Sequence, residues 1–352
     1  MIDILSLLLS YISVFISPAM FWPIAFFGLL FPVIVVFTII LLSIWIFIKP
    51  LYAVVILLAL VIGIKYHLRY IAFNFTDNSF VKDENVVRVM SYNVHFFRKA
   101  ESKYNDILTK DKILKVINEY NPDLLCMQEF LTRKSGKFNT KADLHDINQL
   151  KNFYIYKVSE SDVEYYGLAL FSKFSVIGYK NINFTEKNST VNKCIILDVK
   201  IKNKIIRIFN VHLRSIGFDP YDITSYKSFI GGEGVDHINI FNIVNKLKKA
   251  FQIRALQADL IAKEISESPY PVVVCGDFND TVISYAYNTI SKNLKDTFLN
   301  KGSGFLGTYN GVFPNFRIDY LLVSKDIKIR KFLYSNDDSS DHFPIAADLI
   351  IE

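Results

Sequence analysis

The first 72 residues carry almost no charge, and this feature limits most strongly what the chain can fold into. Only Asp3, Lys49, Lys65 and Arg69 are charged there, and most of the other residues are Leu, Ile, Phe, Val, Ala and Trp. About 20 consecutive apolar residues in a helix can cross the hydrocarbon core of a bilayer. We therefore expect residues 1–72 to be a membrane anchor, separate from the rest of the chain.

Three apolar runs within this anchor are candidate membrane helices. They cover Ile4–Ile16, Phe21–Ile48 and Leu51–Ile64, and only the middle run is long enough to cross a bilayer by itself. A cleaved secretory signal is an alternative for the first run, but the chain lacks a positively charged start and the apolar sequence continues far beyond any cleavage site. The sequence thus predicts a multi-pass protein of the cell membrane. The distribution of Lys and Arg leaves the side of the carboxy-terminal domain open.

Polar sequence without periodic apolar positions follows the anchor. Residues 73–85 are rich in Asn and Asp and are predicted to be a linker, which leaves residues 86–352 as one folded domain. Residues 73–352 hold 37 basic and 33 acidic side chains. This excess is too mild to indicate a nucleic-acid partner by charge alone. The three cysteines lie in apolar runs without a common spacing, which argues against a disulfide framework or a zinc site.

Short apolar runs and segments with helical periodicity are interspersed along this domain. The predicted strands are Val86–Val94, Leu124–Met127, Leu168–Phe171, Cys194–Ile201, Ile205–Val211, Val272–Cys275, Ile318–Val323 and Ile345–Ile351. The predicted helices are Asn105–Tyr120, Ala250–Ser266 and a short one near Ile283–Ser291. Many strands with a few helices between them favour an α/β sandwich of two packed sheets with helices outside.

Polar residues repeatedly stand where these strands end. They are Asn, Gln, Glu, Asp and His side chains, at Asn93, Gln128, Glu129, His212, Asp277, Asn279, Asp319, Asp341 and His342. One polar strand end is ordinary turn chemistry. A whole set of them would meet if the strands share one sheet edge, and this would build a site.

The residue types at these strand ends suit metal-assisted hydrolysis of a phosphate ester. Glu129 is a hard oxygen ligand of the kind that Mg²⁺ prefers. Asp277 and Asn279 can present a base and an orienting amide from one turn, and His342 can stabilise phosphate charge or transfer a proton near neutral pH. Asp319 is a candidate to hold the tautomer of that histidine. Neither a G-x-S-x-G elbow nor a P-loop occurs in the chain.

Seven segments in order give the chain a specific resemblance. They are VMSYNVHFF, DLLCMQEF, GLALFSKFSVI, FNVHL, VVVCGDFND, GTYNGVFPNFRIDYLLVS and SSDHFPI, and they run from about Val86 to the end. The order and content are similar to the endonuclease/exonuclease/phosphatase superfamily, which has the deoxyribonuclease-I-like fold. The resemblance implies a four-layered α/β sandwich of two packed mixed sheets flanked by helices. Its site would lie at one edge of the two sheets.

The resemblance also implies a metal-binding side of the site. Asn93 and Glu129 match the metal-side pair of the superfamily, with Glu129 as the principal Mg²⁺ ligand. Asp341 lies beside the last histidine as a further metal-side carboxylate. The implied cofactor is Mg²⁺, with Mn²⁺ as a substitute.

The remaining positions match residues that act on water and phosphate. Asp277 and Asn279 match the pair that activates and positions the attacking water. His342 matches the histidine at the scissile phosphate, paired with Asp319. His212 matches the second histidine, which is associated with the leaving group in the nuclease and sphingomyelinase branches. These roles are implied by the resemblance alone.

Three histidines and one segment lie outside this pattern. Residues 217–250 have the character of an insertion beside His212 that would influence substrate choice. His237 within it is interpreted as a loop residue, and His95 and His145 as surface or packing residues.

Several functions remain compatible with the sequence. The leading one is a membrane-anchored, Mg²⁺-dependent phosphoesterase that hydrolyses phosphodiester or phosphomonoester bonds. Alternatives are a catalytically inactive binding domain of the same fold, a nuclease in particular, and a small membrane module with an accessory domain. The fold serves nucleic acid, phospholipid and inositol phosphate substrates, so it does not choose between them. No protein partner is implied.

Overall fold

The computed structural model describes residues 2–74, 79–98, 106–147, 149–184, 193–231, 237–311 and 314–351. Residues 75–78 of the predicted linker and 232–236 of the predicted insertion therefore lie outside the described residues. The chain divides into two compact units, which are described separately. The sandwich unit comprises Ile71–Leu213, Ile261–Phe278 and Ser291–Glu352, and the helical unit comprises Met1–Tyr70, Arg214–Leu260 and Asn279–Ile290.

The helices are, in chain order, α1 (Ile2–Ser13), α2 (Ile24–Leu29), α3 (Phe31–Ile48), α4 (Pro50–Ile62), α5 (Ile64–His67), α6 (Asp106–Tyr120), α7 (Thr140–Asp146), α8 (Pro220–Ile230), α9 (His237–Ser266), α10 (Tyr285–Ile290) and α11 (Thr297–Lys301). The strands are β1 (Ile71–Phe73), β2 (Val87–Asn93), β3 (Leu124–Arg133), β4 (Asn152–Glu160), β5 (Glu164–Ser172), β6 (Ser175–Ile182), β7 (Lys193–Ile201), β8 (Lys204–His212), β9 (Val272–Asp277), β10 (Leu294–Asp296), β11 (Ser303–Phe305), β12 (Asp319–Ser324), β13 (Lys328–Tyr334) and β14 (Ile345–Ile350).

Two six-stranded sheets form the centre of the sandwich unit. Their strand orders are β10-β12-β9-β8-β7-β6 and β13-β14-β2-β3-β5-β4. The β2–β3 and β8–β9 pairs are parallel and the other pairs in these sheets are antiparallel, so both sheets are mixed. The predicted α/β fold with two mixed sheets and helices is confirmed.

Alternating side chains along the strands supply two hydrophobic cores. Val89 and Leu124 belong to a core that contains side chains of both sheets, whereas Met90 and Leu125 belong to a second core that includes α6 and α7. Successive residues of a strand point to opposite faces of its sheet, which accounts for this division. Strands β2 and β9 have both faces covered, and every residue of each is buried.

Several elements differ from the sequence prediction. Strands β4, β6 and β13 were not predicted, since their burial alternates or is partial and leaves no continuous apolar run. Helix α9 begins at His237, so this residue starts a helix and is not in a loop as predicted. Strand β1 pairs with β11, which places Ile71 and Ala72 in the sandwich unit and not in the anchor.

The helical unit contains one helix that is long and apolar enough to cross a membrane among the described residues. This is α3, with 18 residues of which only 11% are buried. Helices α1 and α4 are apolar but have only 12 and 13 residues. The prediction of three spans, and hence of a multi-pass protein, is therefore not supported by helix length.

The N-terminal helices of this unit pack against α9 and against residues 279–290. The rings of Phe26 and Phe251 meet edge to face at 5.3 Å between centroids. A Cβ atom on Gly28 would lie 2.2 Å from the carbonyl oxygen of Ile283, so only glycine permits this approach. Arg69 donates hydrogen bonds to the carbonyl oxygen of Val282 and to the Asn288 side chain. The first 70 residues are thus one structural unit with later parts of the chain, whereas the sequence predicted a separate anchor.

Candidate active site

Four of the predicted site residues lie at strand ends on one edge of the sandwich unit. Asn93, His212 and Asp277 are the last residues of β2, β8 and β9, and Asp319 is the first residue of β12. Asp277 is in register with His212 on one side and with Asp319 on the other. Because β12 runs antiparallel to β9, the start of one strand lies beside the end of the other.

The inner cluster consists of His212, Asp277, Asp319 and His342, and each of these residues is at most 5% exposed. His342 Nδ1 lies 2.8 Å from an Asp319 carboxylate oxygen, within hydrogen-bonding distance. The Nε2 atoms of His342 and His212 lie 3.8 and 3.6 Å from Oδ2 of Asp277. The structure therefore places two imidazoles against one buried carboxylate.

The two histidines of the inner cluster have opposite shifts of pKa. Burial lowers the pKa of His212, and neither of its ring nitrogens has a hydrogen-bond partner in the described part of the chain. Burial would also lower the pKa of His342, but the carboxylates of Asp319 and Asp277 outweigh it and raise this pKa well above its usual value. The pKa of His342 is thus raised and that of His212 lowered beside the same carboxylate, and opposite shifts of this kind suit an acid and a base in one site.

A glycine permits the spacing of the inner cluster. Gly276 has a φ of 139°, and a Cβ atom there would lie 1.9 Å from the carbonyl oxygen of Val211 on β8. Any other residue would push β9 away from β8 and would move Asp277 relative to His212. Position 276 therefore requires glycine because of its close contact with the backbone of β8. Position 277 provides the carboxylate of the site.

The outer cluster consists of Glu129, Asp341 and His95, whose side chains are 17%, 22% and 35% exposed. His95 Nδ1 lies 3.2 Å from Asp341 Oδ2 and 3.6 Å from Glu129 Oε2. The hydrogen bond to Asp341 raises the pKa of His95. Burial and the neighbouring Asp341 raise the pKa of Glu129. A second group of charged side chains thus lies beside the first and is open to solvent.

A β-bulge directs Glu129 into the outer cluster. The sequence predicted that the strand ends at Met127, but β3 continues to Arg133. Its register with β5 shifts between Met127 and Phe130, and Glu129 has a φ of 53° in this interval. Bulges re-aim side chains beside active sites. The acid therefore points to the site from inside a strand and not from its end.

Asn93 connects the two clusters. Its side-chain NH₂ donates to Asp277 at 3.1 Å, and its side-chain oxygen Oδ1 accepts a hydrogen bond from the backbone N–H of His95 at 3.2 Å. The residue is 2% exposed. Its position fits the predicted part in the site, and its role as a metal ligand stays a prediction.

Asn279 belongs to a different unit from the other predicted site residues. Asn279 follows Asp277 by two residues with a φ of 52°, and it belongs to the helical unit, so its part in the site stays a prediction. His95 was interpreted as a surface or packing residue, and its partly exposed ring lies beside the predicted site residues Glu129 and Asp341. The signal was its place two residues after Asn93, directly beyond a strand end. His145 is exposed and pairs with Asp146, as expected of a surface residue.

The donor atoms of the site fit a divalent cation. Carboxylate, amide and imidazole groups converge there, and all three cysteines are free and buried. Asp277, Asp319 and His342 also have possible ligand atoms within 4.8 Å of one another. Within this group, Asp319 and His342 are already hydrogen-bonded to each other.

Comparison with known proteins decides the family. Residues 90–342 match the model of the Endonuclease/Exonuclease/phosphatase family, which is more than half of the chain. The chain belongs to this family. Its members are hydrolases that act on phosphoester bonds. Residues 1–70 match a model described as a domain of unknown function. A search of curated proteins found no significant match.

Solved structures of the endonuclease/exonuclease/phosphatase family resemble this chain in fold. A protein from Beutenbergia cavernae has a TM-score of 0.54 and 16% identity, with 76% of this chain and 72% of that chain covered. One from Bacteroides vulgatus has a TM-score of 0.54 and 22% identity, covering 76% and 100%. One from Bacteroides thetaiotaomicron has a TM-score of 0.53 and 17% identity, covering 77% and 100%. At these identities the likeness is one of fold alone.

Proposed function

We propose that this member of the family is an active, metal-dependent phosphoesterase that is held at a membrane and attacks phosphodiester or phosphomonoester bonds with water. The observation that carries the proposal is the convergence of two buried histidines on Asp277, with the Nε2 atoms of His212 and His342 at 3.6 and 3.8 Å from its Oδ2. The pKa values of these histidines are shifted in opposite directions, because burial lowers that of His212 and the carboxylates of Asp319 and Asp277 raise that of His342. Such pairs are typical of sites that transfer protons.

The metal would be held by the outer cluster. Glu129 and Asp341 supply carboxylate oxygens, Asn93 adds an amide oxygen, and Mg²⁺ or Mn²⁺ suits such hard donors. When bound, the cation supplies Lewis acidity to the phosphate ester. Because the pKa of Glu129 is raised by burial and by Asp341, a positive charge there is electrostatically favourable.

The inner cluster would carry out the chemistry of water and phosphate. Asp277 would orient or deprotonate the attacking water, helped by the amide of Asn279. His342 would stabilise phosphate charge as imidazolium, with Asp319 holding its tautomer. His212 is neutral, and its two unpaired ring nitrogens are available to the leaving oxygen or to an ordered water. The substrate class stays open between nucleic acid, phospholipid and inositol phosphate.

Hydrolysis of bis(p-nitrophenyl) phosphate by the full chain in detergent tests this function. We expect turnover with Mg²⁺ or Mn²⁺ that disappears with EDTA and returns when the metal is restored. Full turnover in a chelated preparation would overturn the metal assignment. Metal binding without turnover on diesters, monoesters, nucleic acid or lipid would instead favour the inactive binding domain. A panel of those substrates would also identify the substrate class.

Membrane attachment through α3 is the second part of the proposal. Large apolar side chains such as Val36 and Ile40 are 58% and 51% exposed on this helix, which is costly in water. We expect the chain to stay in the membrane fraction after alkaline carbonate extraction. Replacing both residues with Lys should release it, because each Lys at a helix centre costs roughly 2.5–3.5 kcal/mol of insertion free energy.

A matched variant controls for the added charge. Val163 and Ile177 are 62% and 52% exposed in the sandwich unit, so two Lys residues there add the same charge without touching α3. Release of wild-type protein by carbonate, or equal retention of both double variants, would contradict anchoring through α3.

A further inference from the structure

We propose that Gln128 and Asn210 are positioning residues of this site, whose paired amides hold the β-bulge of Glu129 on one sheet at a fixed place relative to His212 on the other. The inference rests on the proposed function, since it concerns the reaction of the same site. It goes beyond that function because it assigns a part in the reaction to two fully buried side chains that belong to neither cluster. Three features of the pair support it.

The first feature is a hydrogen bond that joins the two six-stranded sheets. Gln128 is on β3 and Asn210 is on β8, which belong to different sheets. Nε2 of Gln128 donates to Oδ1 of Asn210 at 2.6 Å and to Oγ of Ser91 at 3.4 Å. Gln128 directly precedes Glu129, and Asn210 lies two residues before His212, on the same face of β8. The link therefore connects a residue of the outer cluster with a residue of the inner cluster.

The second feature is the position of the oxygen atoms that accept the hydrogen bonds of Asn210. Its side-chain NH₂ donates to the backbone carbonyl oxygens of Met127 at 3.1 Å and of Ala169 at 2.8 Å. Met127 and Ala169 are paired on β3 and β5, and the register shifts directly after them. Because a bulge disrupts the ladder, peptide groups beside it need other partners. Asn210 supplies two donors from the opposite sheet and thereby supports the backbone that directs Glu129.

The third feature is the backbone of Gln128, which is tied to the end of β2. Gln128 is in register with Asn93, and its carbonyl oxygen accepts the backbone N–H of Val94 at 3.1 Å. Asn93 in turn donates to Asp277 of the inner cluster. A shift of Gln128 would therefore displace both Asn93 and Glu129, the residues that we propose for the metal side of the site.

Loss of the amide pair should change distances between the two clusters and not the chemistry of either one. Neither amide titrates, so neither can replace the base or the acid proposed for the inner cluster. Buried, paired amides fix how two elements pack. A displacement of about 1 Å at a reacting group can lower a rate about 10²-fold. The pair should thus influence kcat more than KM, as expected of groups that position the reacting atoms.

Replacement of both amides in the full chain in detergent tests the inference. Gln128→Met with Asn210→Leu keeps the side-chain volumes similar, and exchange of both partners costs less stability than removal of one. For hydrolysis of bis(p-nitrophenyl) phosphate at saturating Mn²⁺, we expect kcat to fall about 10²-fold with little change in KM. Calorimetric titration should show a Mn²⁺ affinity that is lower by about 10-fold or more, although neither residue is a proposed metal ligand.

Gln128→Met alone is a milder variant, because it keeps the hydrogen bonds of Asn210 to the backbone beside the bulge. We expect kcat and Mn²⁺ affinity to fall in this variant too, by less than in the double variant. It provides the test if the double variant does not fold. Circular dichroism and thermal melting of each variant establish that it is folded.

A second hydrogen-bonded link between the sheets provides the matched control. The side chains of Tyr154 on β4 and Asn181 on β6 are hydrogen-bonded at 2.8 and 3.1 Å, and these strands are the edges of different sheets. Tyr154→Phe with Asn181→Leu removes this link without touching a strand that carries a site residue. It should leave kcat and Mn²⁺ affinity unchanged.

The outcomes separate this inference from the function on which it rests. If the folded double variant, or Gln128→Met in its place, retains wild-type kcat and Mn²⁺ affinity, the pair is only structural and the inference is overturned, while the proposed function stands. Equal losses in the control at Tyr154 and Asn181 would overturn it as well, because any link between the sheets would then have the same effect. If wild type hydrolyses no phosphate ester, both the proposed function and the inference fail.

Discussion

The inner and outer clusters lie side by side, yet the chain builds them in different ways. Asp277, Asp319 and His212 stand on regular strands in register, and the inner cluster is almost completely buried. Glu129 and His95 are presented by a bulge and a left-handed turn, and the outer cluster is open to solvent. The difference suits the two tasks that we propose for them. Proton chemistry needs fixed, desolvated groups, whereas a cation needs water access and donors aimed at one point.

The largest effect should come from the inner cluster. Asp277→Asn keeps the size of the side chain and removes the carboxylate charge that we propose as the base for the attacking water. We expect kcat to fall about 10²–10⁴-fold, the usual contribution of general-base catalysis, while the melting temperature changes little. The assay is hydrolysis of bis(p-nitrophenyl) phosphate at saturating metal.

Asp326→Asn is the matched control for that change, since Asp326 is an exposed carboxylate in the turn between β12 and β13. It should retain wild-type kcat. A fully active Asp277→Asn would mean that the acid only caps its strand, and the division of tasks between the clusters would collapse.

The geometry of the inner cluster can be disturbed through the backbone. Gly276→Ala places a methyl group against the carbonyl oxygen of Val211, so β8 and β9 must separate. We expect a loss of about 2–4 kcal/mol in the free energy of unfolding. Thermal melting measures it, as a fall of about 5–15 °C.

Gly136→Ala tests whether contact or backbone conformation causes this loss. Gly136 also has a positive φ, 80°, but a Cβ atom there would have no neighbour within 4 Å. It should cost only about 1 kcal/mol. Equal losses in the two variants would show that the approach of β8 to β9 is not what Gly276 provides.

A substitution in the outer cluster should lower the affinity for metal more than it lowers the free energy of unfolding. Glu129→Gln removes one of its two carboxylates, and we expect Mn²⁺ affinity to fall by at least about 10–100-fold, the cost of losing even an outer partner of a metal ligand. Calorimetric titration of the full chain measures it. Asp319→Asn, in the inner cluster, is the comparison, and it should bind Mn²⁺ nearly as wild type. A larger loss in Asp319→Asn would move the cation to the inner cluster.

The smallest effect concerns the pH dependence of stability through His212. Burial lowers its pKa in the folded protein, so the unfolded chain takes up the proton first as the pH falls below about 6.5. The stability contributed by neutral His212 is therefore present above that pH and is lost below it, by at most about 1.4 kcal/mol per pH unit. Melting temperatures at pH 7.5, 6.5 and 5.5 measure the effect.

His212→Gln isolates this contribution, because Gln does not titrate and His342 remains in both proteins. The melting temperature of wild type should fall more steeply with acid than that of the variant, by about 2–4 °C per pH unit. Parallel curves would mean that His212 is not held neutral by burial, and the contrast with His342 would lose its basis.

The N-terminal region shows how far the sequence alone can go. Absence of charge identifies α3 from composition, because helix length and polarity are local properties. The packing of the other N-terminal helices depends on contacts between residues that are far apart in the sequence. Gly28 against Ile283 and Arg69 against Asn288 join parts of the chain more than 200 residues apart, and no local pattern predicts them.

For the candidate site too, the sequence predicts some features and the tertiary structure decides the others. Strand ends at Asn93, His212 and Asp277 could be predicted because buried strands are apolar runs and a polar residue marks where each one stops. Their convergence follows from the order of strands in two sheets. The sequence by itself determined which polar side chains stand at strand ends and which family they resemble.

Only the tertiary structure decided where Glu129 and His95 point. A bulge is a mismatch in length between two paired strands, and a left-handed turn of non-glycine residues persists only against a core that holds it. Both depend on partners distant in sequence, such as β5 and Phe138. The tertiary structure likewise shifts the pKa of the two histidines in opposite directions, because burial lowers that of His212, whereas the carboxylates of Asp319 and Asp277 raise that of His342.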